Sequence, residues 1–568
     1  MLPLAPFIGE AIAPALHTRD LLVFDQRGTG TSDPLRCPAL TSAAEASSTN
    51  SGSQLIERCA LQLGPARGDY TTSESVEDIE AVRRAAGYEK LVLYGTSYGT
   101  KLALEYAERY PQHVEALVLD STETPQGPEP FHVSTFKAIG PMLAELCSRR
   151  ACDGVTGSPL ADLARLVGEL DLHLLSGEAL NEHGRSFKTA ITSSDLFDLL
   201  LAGDLNPMSR AEMPAAVHSA IHGDLGPLAR LLTLDSIHPK VLEPSNEIDE
   251  TLFIDTSCEE TPFPWSRSAP AATRAVEAEA ALNALPGSDF YPFDAEAALL
   301  DMTIPLCVSW PDASAPPAPS ATLPDVPTLI LSGGQDLRTP IEDARQVAAL
   351  IPDSQLIKVP YTGHSVIGSD LSGCAGAAVA AFFAGSPAKP CGPVVDRFPP
   401  APLAPRRLSA VTPTPGVPLP QAHTVAGAID TILDLRRSII EVGLNFGELP
   451  VGVRFGGLRG GTVELTSHGA ELKQLSYIPG LALSGLISTD LLLKNRGAPA
   501  SIGVAGSAAS RGVLALASGG QLSGTLGGRS FRVSVGARVK VAAAGAGAPP
   551  EWLTGPVSLP LPALARTR

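Results

Sequence analysis

A chain of 568 residues exceeds one ordinary hydrophobic core, and length alone suggests roughly three to four domain equivalents, which two folded units and an insertion would satisfy. Lysine and arginine total 42 against 60 aspartates and glutamates, a net charge of −18, which argues against binding nucleic acid or an anionic membrane through charge. No apolar run is long and charge-free enough to span a bilayer, and Met1-Leu2-Pro3-Leu4 lacks the basic start of a signal peptide, with Glu10 soon interrupting the apolar stretch.

Residues 7–16 read as a helix, 20–25 (Asp-Leu-Leu-Val-Phe-Asp) as a buried strand and 26–33 as a tight glycine turn. Over 72–86, Val76, Ile79, Val82 and Arg83 recur at helical spacing, with Ser73 or Ser75 available as a cap. A strand from Leu91 then breaks into Gly95-Thr96-Ser97-Tyr98-Gly99, a helix follows over 101–107, and 114–120 makes another strand. Alternating strand and helix predicts a parallel sheet covered on both faces.

From about 131 to 300 leucines at 160, 163, 166 and 170, and the run 196–201, predict helices with no comparable β-rich run between them, a cap over an active site. A link rich in proline, alanine and serine over 311–324 leads to a strand at 326–331, a helix at 340–350, a strand at 355–359 and a helix at 377–384. Proline recurs between 393 and 420, marking a boundary. A helix over 424–442 precedes a stretch rich in Gly, Ala, Val, Leu and Ser, where 462–466 and 531–535 alternate apolar and polar residues, predicting a small antiparallel β domain with no catalytic constellation. The expected division is a first core part at 1–130, a helical cap at 131–310, a second core part at 311–395, a linker at 396–423 and a mainly-β accessory domain at 424–568.

The 8 cysteines fall as neighbours: Cys37 with Cys59, Cys147 with Cys152, Cys258 with Cys307, and Cys374 with Cys391. None has the spacing of a zinc site. Neighbouring bridges are the simplest arrangement that uses all of them, although the count alone admits other connectivities. Disulfides persist in oxidising compartments, so a secreted or periplasmic location is expected. No metal and no cofactor are called for.

Gly-X-Ser-X-Gly between a strand and a helix is a nucleophile elbow. It thrusts Ser97 out at the top of a sheet and sets the Tyr98 backbone N–H, at a helix N-terminus, to stabilise an oxyanion. A serine hydroxyl needs a base, and the base needs an acid to orient it. Asp336 follows a strand in Ser332-Gly333-Gly334-Gln335-Asp336-Leu337-Arg338-Thr339-Pro340, and His364 follows the next strand in Tyr361-Thr362-Gly363-His364-Ser365. The order Ser97, Asp336, His364 and their positions at strand ends make them the expected nucleophile, orienting acid and base. Asp120, also at a strand end, is the second candidate acid.

The set Asp25-Gln26-Arg27-Gly28-Thr29-Gly30-Thr31-Ser32, Gly95 to Gly99, Asp336-Leu337-Arg338-Thr339-Pro340 and Gly363-His364 resembles the proline iminopeptidase and tripeptidyl aminopeptidase branch of the α/β-hydrolases. The segment from Cys374 to Cys391 is similar to the carboxyl-terminal element of secreted tripeptidyl aminopeptidases. The resemblance covers roughly residues 5–393. It implies an α/β-hydrolase sheet with a helical cap, and serine hydrolysis of a peptide substrate with a free N-terminus. Ser257-Cys258-Glu259-Glu260-Thr261-Pro262-Phe263 resembles the cap motif that carries an acidic residue in this family, so Glu260, and after it Glu259, are expected to receive the substrate ammonium. Solvated surface glutamates are the competing reading.

The family's His-Gly-Gly-Pro-Gly type segment, source of a second oxyanion N–H, and the strand leading into it are missing here. The expectation is a chain shorter than its functional form, with a signal peptide, strand and glycine loop encoded upstream. A carboxylesterase using the same three residues is an alternative, as is an inactive homologue serving as a binding module.

Overall fold

The computed structural model describes residues 2–38, 52–237, 249–300, 303–311 and 323–534. Residues 312–322 of the expected link and Val535 of the expected last strand lie outside them. Two compact units divide the chain, one formed by Met1–Glu145 and Lys240–Val394, the other by Leu146–Pro239 and Val395–Leu561.

Numbered along the chain, the strands of the first unit are β1 (Leu91–Ser97), β2 (Val114–Thr122), β5 (Thr328–Gly333) and β6 (Ser354–Val359), while β3 (Leu175–Leu180) and β4 (Ser186–Ile191) belong to the second. The first unit's strands pair in parallel in the order β1-β2-β5-β6. Val118, Leu329, Leu331, Ile357 and Val359 pack with Ala375, Ala378 and Val379 of the helix Cys374–Phe383. Their alternates Leu117, Leu119 and Ile330 pack with Leu104 and Tyr106 of the helix Tyr98–Arg109 and Val347 of the helix Ile341–Leu350. Both faces are therefore dry, which is why these strands read as unbroken apolar runs.

The strand expected at 20–25 does not form. Leu21 and Leu22 are 37% and 38% exposed, and no strand among the described residues pairs with them. An apolar run becomes a strand only where a neighbour takes its backbone hydrogen bonds. The glycine turn after it does form, with Gly28 and Gly30 at φ 76° and 50°, and a Cβ on Gly30 would lie 2.3 Å from Asp25 Oδ2. The helix Thr72–Ala86 is capped by Thr71, whose hydroxyl accepts the Glu74 N–H, and not by Ser73 or Ser75. Ser73 instead bonds Glu105, and buried Ser75 accepts from Gln26.

In the second unit, β3 and β4 form an antiparallel hairpin inside the stretch expected to be wholly helical. A Cβ on Gly177 would lie 2.5 Å from the Ala229 Cβ, so a glycine that reads as a strand breaker is what lets the helix Gly226–Asp235 approach β3. The helices Pro159–Leu172, Ser193–Ala202 and Pro207–Ile221 also belong to this unit. Residues 131–145 and 249–310 of the expected cap stay with the first unit, whereas 146–237 compact with the C-terminal part of the chain. There β7 (Arg454–Gly456), β8 (Gly460–Thr466), β9 (Gly469–Ser476), β10 (Ala482–Ile487), β11 (Ala500–Ala505), β12 (Gly512–Ala517), β13 (Gln521–Leu526) and β14 (Arg529–Ser534) make one antiparallel meander. Disulfides join Cys37 to Cys59, Cys147 to Cys152, Cys258 to Cys307 and Cys374 to Cys391.

The 26-residue helix Gln421–Phe446 is held by charge inside the second unit. Arg230 donates to both oxygens of Asp434, at 2.6 and 2.7 Å, and Arg437 donates to Glu212 at 2.6 Å. Removing one partner of a buried pair leaves the other charge stranded. Asp434→Ala is expected to cost about 3–5 kcal/mol in denaturant unfolding of this unit; a loss under about 1 kcal/mol would show that Arg230 finds solvent instead.

Candidate active site

β1 ends at Ser97, whose φ of 55° and ψ of −124° are unfavourable for a residue with a side chain. The turn is sharp enough that a Cβ on Gly95 would lie 2.2 Å from the Gly99 carbonyl oxygen, whereas one on Gly99 would meet nothing within 4 Å. Only the first glycine of the motif is therefore required by close approach. Thr100 fastens the elbow: its hydroxyl donates to the Ser97 carbonyl at 2.6 Å and accepts the Glu123 N–H at 2.9 Å. Tyr98 begins the helix Tyr98–Arg109, so its N–H is one of those an α-helix leaves without an intrahelical acceptor.

The loops after β5 and β6 touch. A Cβ on Gly333 would lie 2.3 Å from the Gly363 carbonyl oxygen, and the Gln335 N–H donates to the Thr362 carbonyl at 2.9 Å. This contact brings Asp336 and His364 together, 3% and 4% exposed, with Nδ1 of the ring 3.2 Å from Oδ1 and 3.1 Å from Oδ2. A ring nitrogen facing a carboxylate carries the proton, which leaves Nε2 as the basic position. Asp336 also accepts the Arg338 and Thr339 N–H groups at 3.0 and 2.9 Å, and the Thr339 hydroxyl at 2.9 Å. Burial alone would raise its carboxyl, but the charge on His364 and the bonds from His364 and Thr339 outweigh it and leave the group below its ordinary value.

Asp120 does a different job from Asp336. Its oxygens accept the Val366 and Ile367 N–H groups at 2.7 and 3.0 Å, and the Ser121 hydroxyl accepts the Ser365 N–H at 2.8 Å. The end of β2 thus grips the backbone just past His364. Burial pushes the Asp120 carboxyl up to about 6, with the Ile367 and Val366 bonds opposing it.

Glu259 and Glu260 close the helix Glu250–Glu260, which the Cys258–Cys307 disulfide ties to the helix Thr303–Cys307. Neither is a solvated surface residue. Glu259 accepts from Arg67 at 3.0 Å and Trp310 at 2.7 Å. Glu260 accepts the Thr72 N–H and hydroxyl at 2.5 and 2.6 Å and Lys101 Nζ at 2.5 Å. The Thr72 hydroxyl in turn lies 2.9 Å from the Tyr98 hydroxyl. Asp255, one turn earlier, is fully buried with no bonded partner among the described residues, and burial together with the charge of Glu259 pushes it to about 8. Lys101 and Thr72 escape notice in the sequence. The available signal is Lys101's place in the first turn of the helix that Ser97 leads into.

A strained serine at the carboxyl end of one parallel strand, and an Asp–His pair past the carboxyl ends of two other strands of the same sheet, is the arrangement of an α/β-hydrolase. Residues 4–145 match the family model described as alpha/beta hydrolase fold, and residues 291–390 the one described as TAP-like protein. The first unit has the α/β-hydrolase fold, and the matched segments are similar to tripeptidyl aminopeptidases and proline iminopeptidases. Serine protease Hip1 of Mycobacterium tuberculosis is 31% identical over 176 residues, covering 28% of this chain and 34% of the relative. Tripeptidyl aminopeptidase of Streptomyces lividans is 31% identical over 120 residues, 19% of this chain and 22% of the relative. Proline iminopeptidase of Neisseria gonorrhoeae is 33% identical over 99 residues, 17% and 23% of the two chains. The chain spans about a third of the length of the first of these relatives, 34%, and less of the others.

Asp120→Asn keeps the side chain's shape but turns one acceptor into a donor facing a backbone N–H. Amide exchange at Val366 and Ile367 is expected to quicken about tenfold or more; unchanged protection would remove the gripping role. The wild-type carboxyl titrates near 6 when folded and 3.8 when unfolded. The folded state therefore takes up the proton first as pH falls, and the penalty of burying the charge lifts between pH 6 and 4. Relative to Asp120→Asn, the wild type should gain about 2 kcal/mol in unfolding free energy between pH 7.5 and 4.5.

Proposed function

We propose that this protein is a serine hydrolase that cleaves peptide bonds next to a free N-terminus through an acyl-enzyme. Ser97 Oγ attacks the carbonyl while His364 Nε2 takes its proton, and Asp336 stabilises the imidazolium that results. The Tyr98 N–H steadies the oxyanion. His364 then returns the proton to the leaving amine, and a water activated by the same ring releases the acyl group from Ser97. The observation that carries the reading is the Asp336–His364 pair, both oxygens within 3.2 Å of Nδ1, at the ends of strands in the sheet that presents Ser97 at its elbow.

The relatives named as aminopeptidases support a peptide substrate. Four disulfides support a secreted or periplasmic setting. Glu260, linked through the Thr72 hydroxyl to Tyr98, and Glu259 next to it in the chain put acids near the elbow, the kind of group that draws a cationic N-terminus. One observation favours the carboxylesterase reading instead: Lys101 lies 2.5 Å from Glu260 and offsets its charge.

The test is a release assay on an aminoacyl p-nitroanilide, its N-acetyl form and p-nitrophenyl acetate. The peptidase reading expects the free amine to be cleaved at least about tenfold faster than the acetylated one; fast ester cleavage with neither anilide cleaved would establish the carboxylesterase. Ser97→Ala is expected to lower every activity by about 10⁴-fold or more with an unchanged melting temperature. Retained turnover in that variant would end both readings.

A further inference from the structure

A free N-terminus brings an ammonium into the site, and a carboxylate can receive it only if some of its hydrogen-bonding capacity is unused. Around Ser97 the other acids are either bonded or shut off from solvent by burial. Glu259 is 1% exposed and bound to Arg67 and Trp310. Glu260 is 7% exposed and enclosed by Thr72 and Lys101, and Lys101 Nζ is itself hemmed in, 3.4 Å from where a Cβ on Gly127 would sit. Asp120 and Asp336 are committed to the His364 loop and ring. Asp255 is sealed from solvent.

Glu123 is the exception. It follows Thr122, the parallel partner of Ser97 in the β1–β2 register, and its N–H is tied through the Thr100 hydroxyl to the Ser97 carbonyl. Its backbone is therefore held at a fixed offset from the nucleophile. Neighbouring strands lie about 4.8 Å apart and successive Cα atoms about 3.8 Å, so a carboxylate starting there reaches an amine one or two residues from the scissile carbonyl. The side chain is half-buried and its carboxylate accepts no hydrogen bond and joins no ion pair among the described residues. Burial raises its carboxyl, with Lys101 and His364 drawing it down and Glu260 pushing it up.

We propose that Glu123 is the specificity-determining residue that receives the α-ammonium of the substrate, because it is the half-buried acid beside the elbow whose carboxylate no hydrogen bond or ion pair engages among the described residues. The proposal rests on the aminopeptidase reading. Glu260 then keeps Lys101 and Thr72 in place and does not itself touch substrate.

Steady-state kinetics on wild type, Glu123→Gln and Glu123→Lys, with the aminoacyl p-nitroanilide, its N-acetyl and N-succinyl forms and p-nitrophenyl acetate, tests this. Glu123→Gln should raise KM for the free amine about tenfold or more with kcat within about threefold, and leave the acetylated anilide and the ester unchanged. Glu123→Lys should shift preference toward the N-succinyl form. A wild type that does not prefer the free amine would overturn the aminopeptidase reading and this proposal with it. A wild type that prefers it, together with a Gln variant that keeps the preference, would overturn the Glu123 assignment alone. Equal losses on all substrates would also overturn it, since they would mean that Glu123 acts through His364 and not on the ammonium.

Discussion

Parallel pairing in the order β1-β2-β5-β6 is the constraint from which the rest of the site follows. Strands that run the same way present all their carboxyl ends on one edge, which carries Ser97 and Asp120 at the ends of β1 and β2 and Asp336 and His364 in the loops after β5 and β6. Burial of both faces makes the sheet stiff, so a backbone φ of 55° can be held at Ser97 against its steric cost. Two glycines with no room for a Cβ, Gly95 and Gly333, mark where the constraint is tightest. One makes the elbow, and the other lets the Asp336 loop lie on the His364 loop.

Charge inside this unit is arranged by partner rather than by composition. A net charge of −18 says only that acids outnumber bases. Near Ser97 the acids separate into those that hold backbone, such as Asp120, those paired with a cation, such as Glu259 with Arg67 and Glu260 with Lys101, and Glu123, which does neither among the described residues. A buried carboxylate without compensation is costly, so one left half-buried beside the nucleophile is a position where a cationic ligand gains most.

The second unit uses the same physics for a structural end. Arg230, Asp434, Arg437 and Glu212 neutralise one another inside it, and two of these pairs join residues more than 200 positions apart, Arg230 and Asp434 being separated by 204 and Arg437 and Glu212 by 225. Helices whose leucine stripes look self-sufficient in sequence are thereby committed to a C-terminal helix and compact with a meander of eight strands.

Local pattern is enough to place a strand from 91 and strands at 114–120, 326–331 and 355–359, each within two residues of the observed bounds, together with the helix at 72–86 and the antiparallel character of the C-terminal part, because each is signalled by residues close in the chain; the cysteine pairs follow from their order along it. It also named Ser97, Asp336 and His364 as candidates from motif and order. Local pattern failed where a distant partner decides. Residues 20–25 have the composition of a strand and no pairing neighbour among the described residues, and Thr71 takes the cap from two serines that other residues engage. The Lys101 partner of Glu260 lies 159 positions away and is not legible beside it. Residue identity and short-range spacing determined which groups could act; only the tertiary structure decided which of them were already occupied, since a hydrogen bond or ion pair depends on a few ångströms of space and not on distance along the chain.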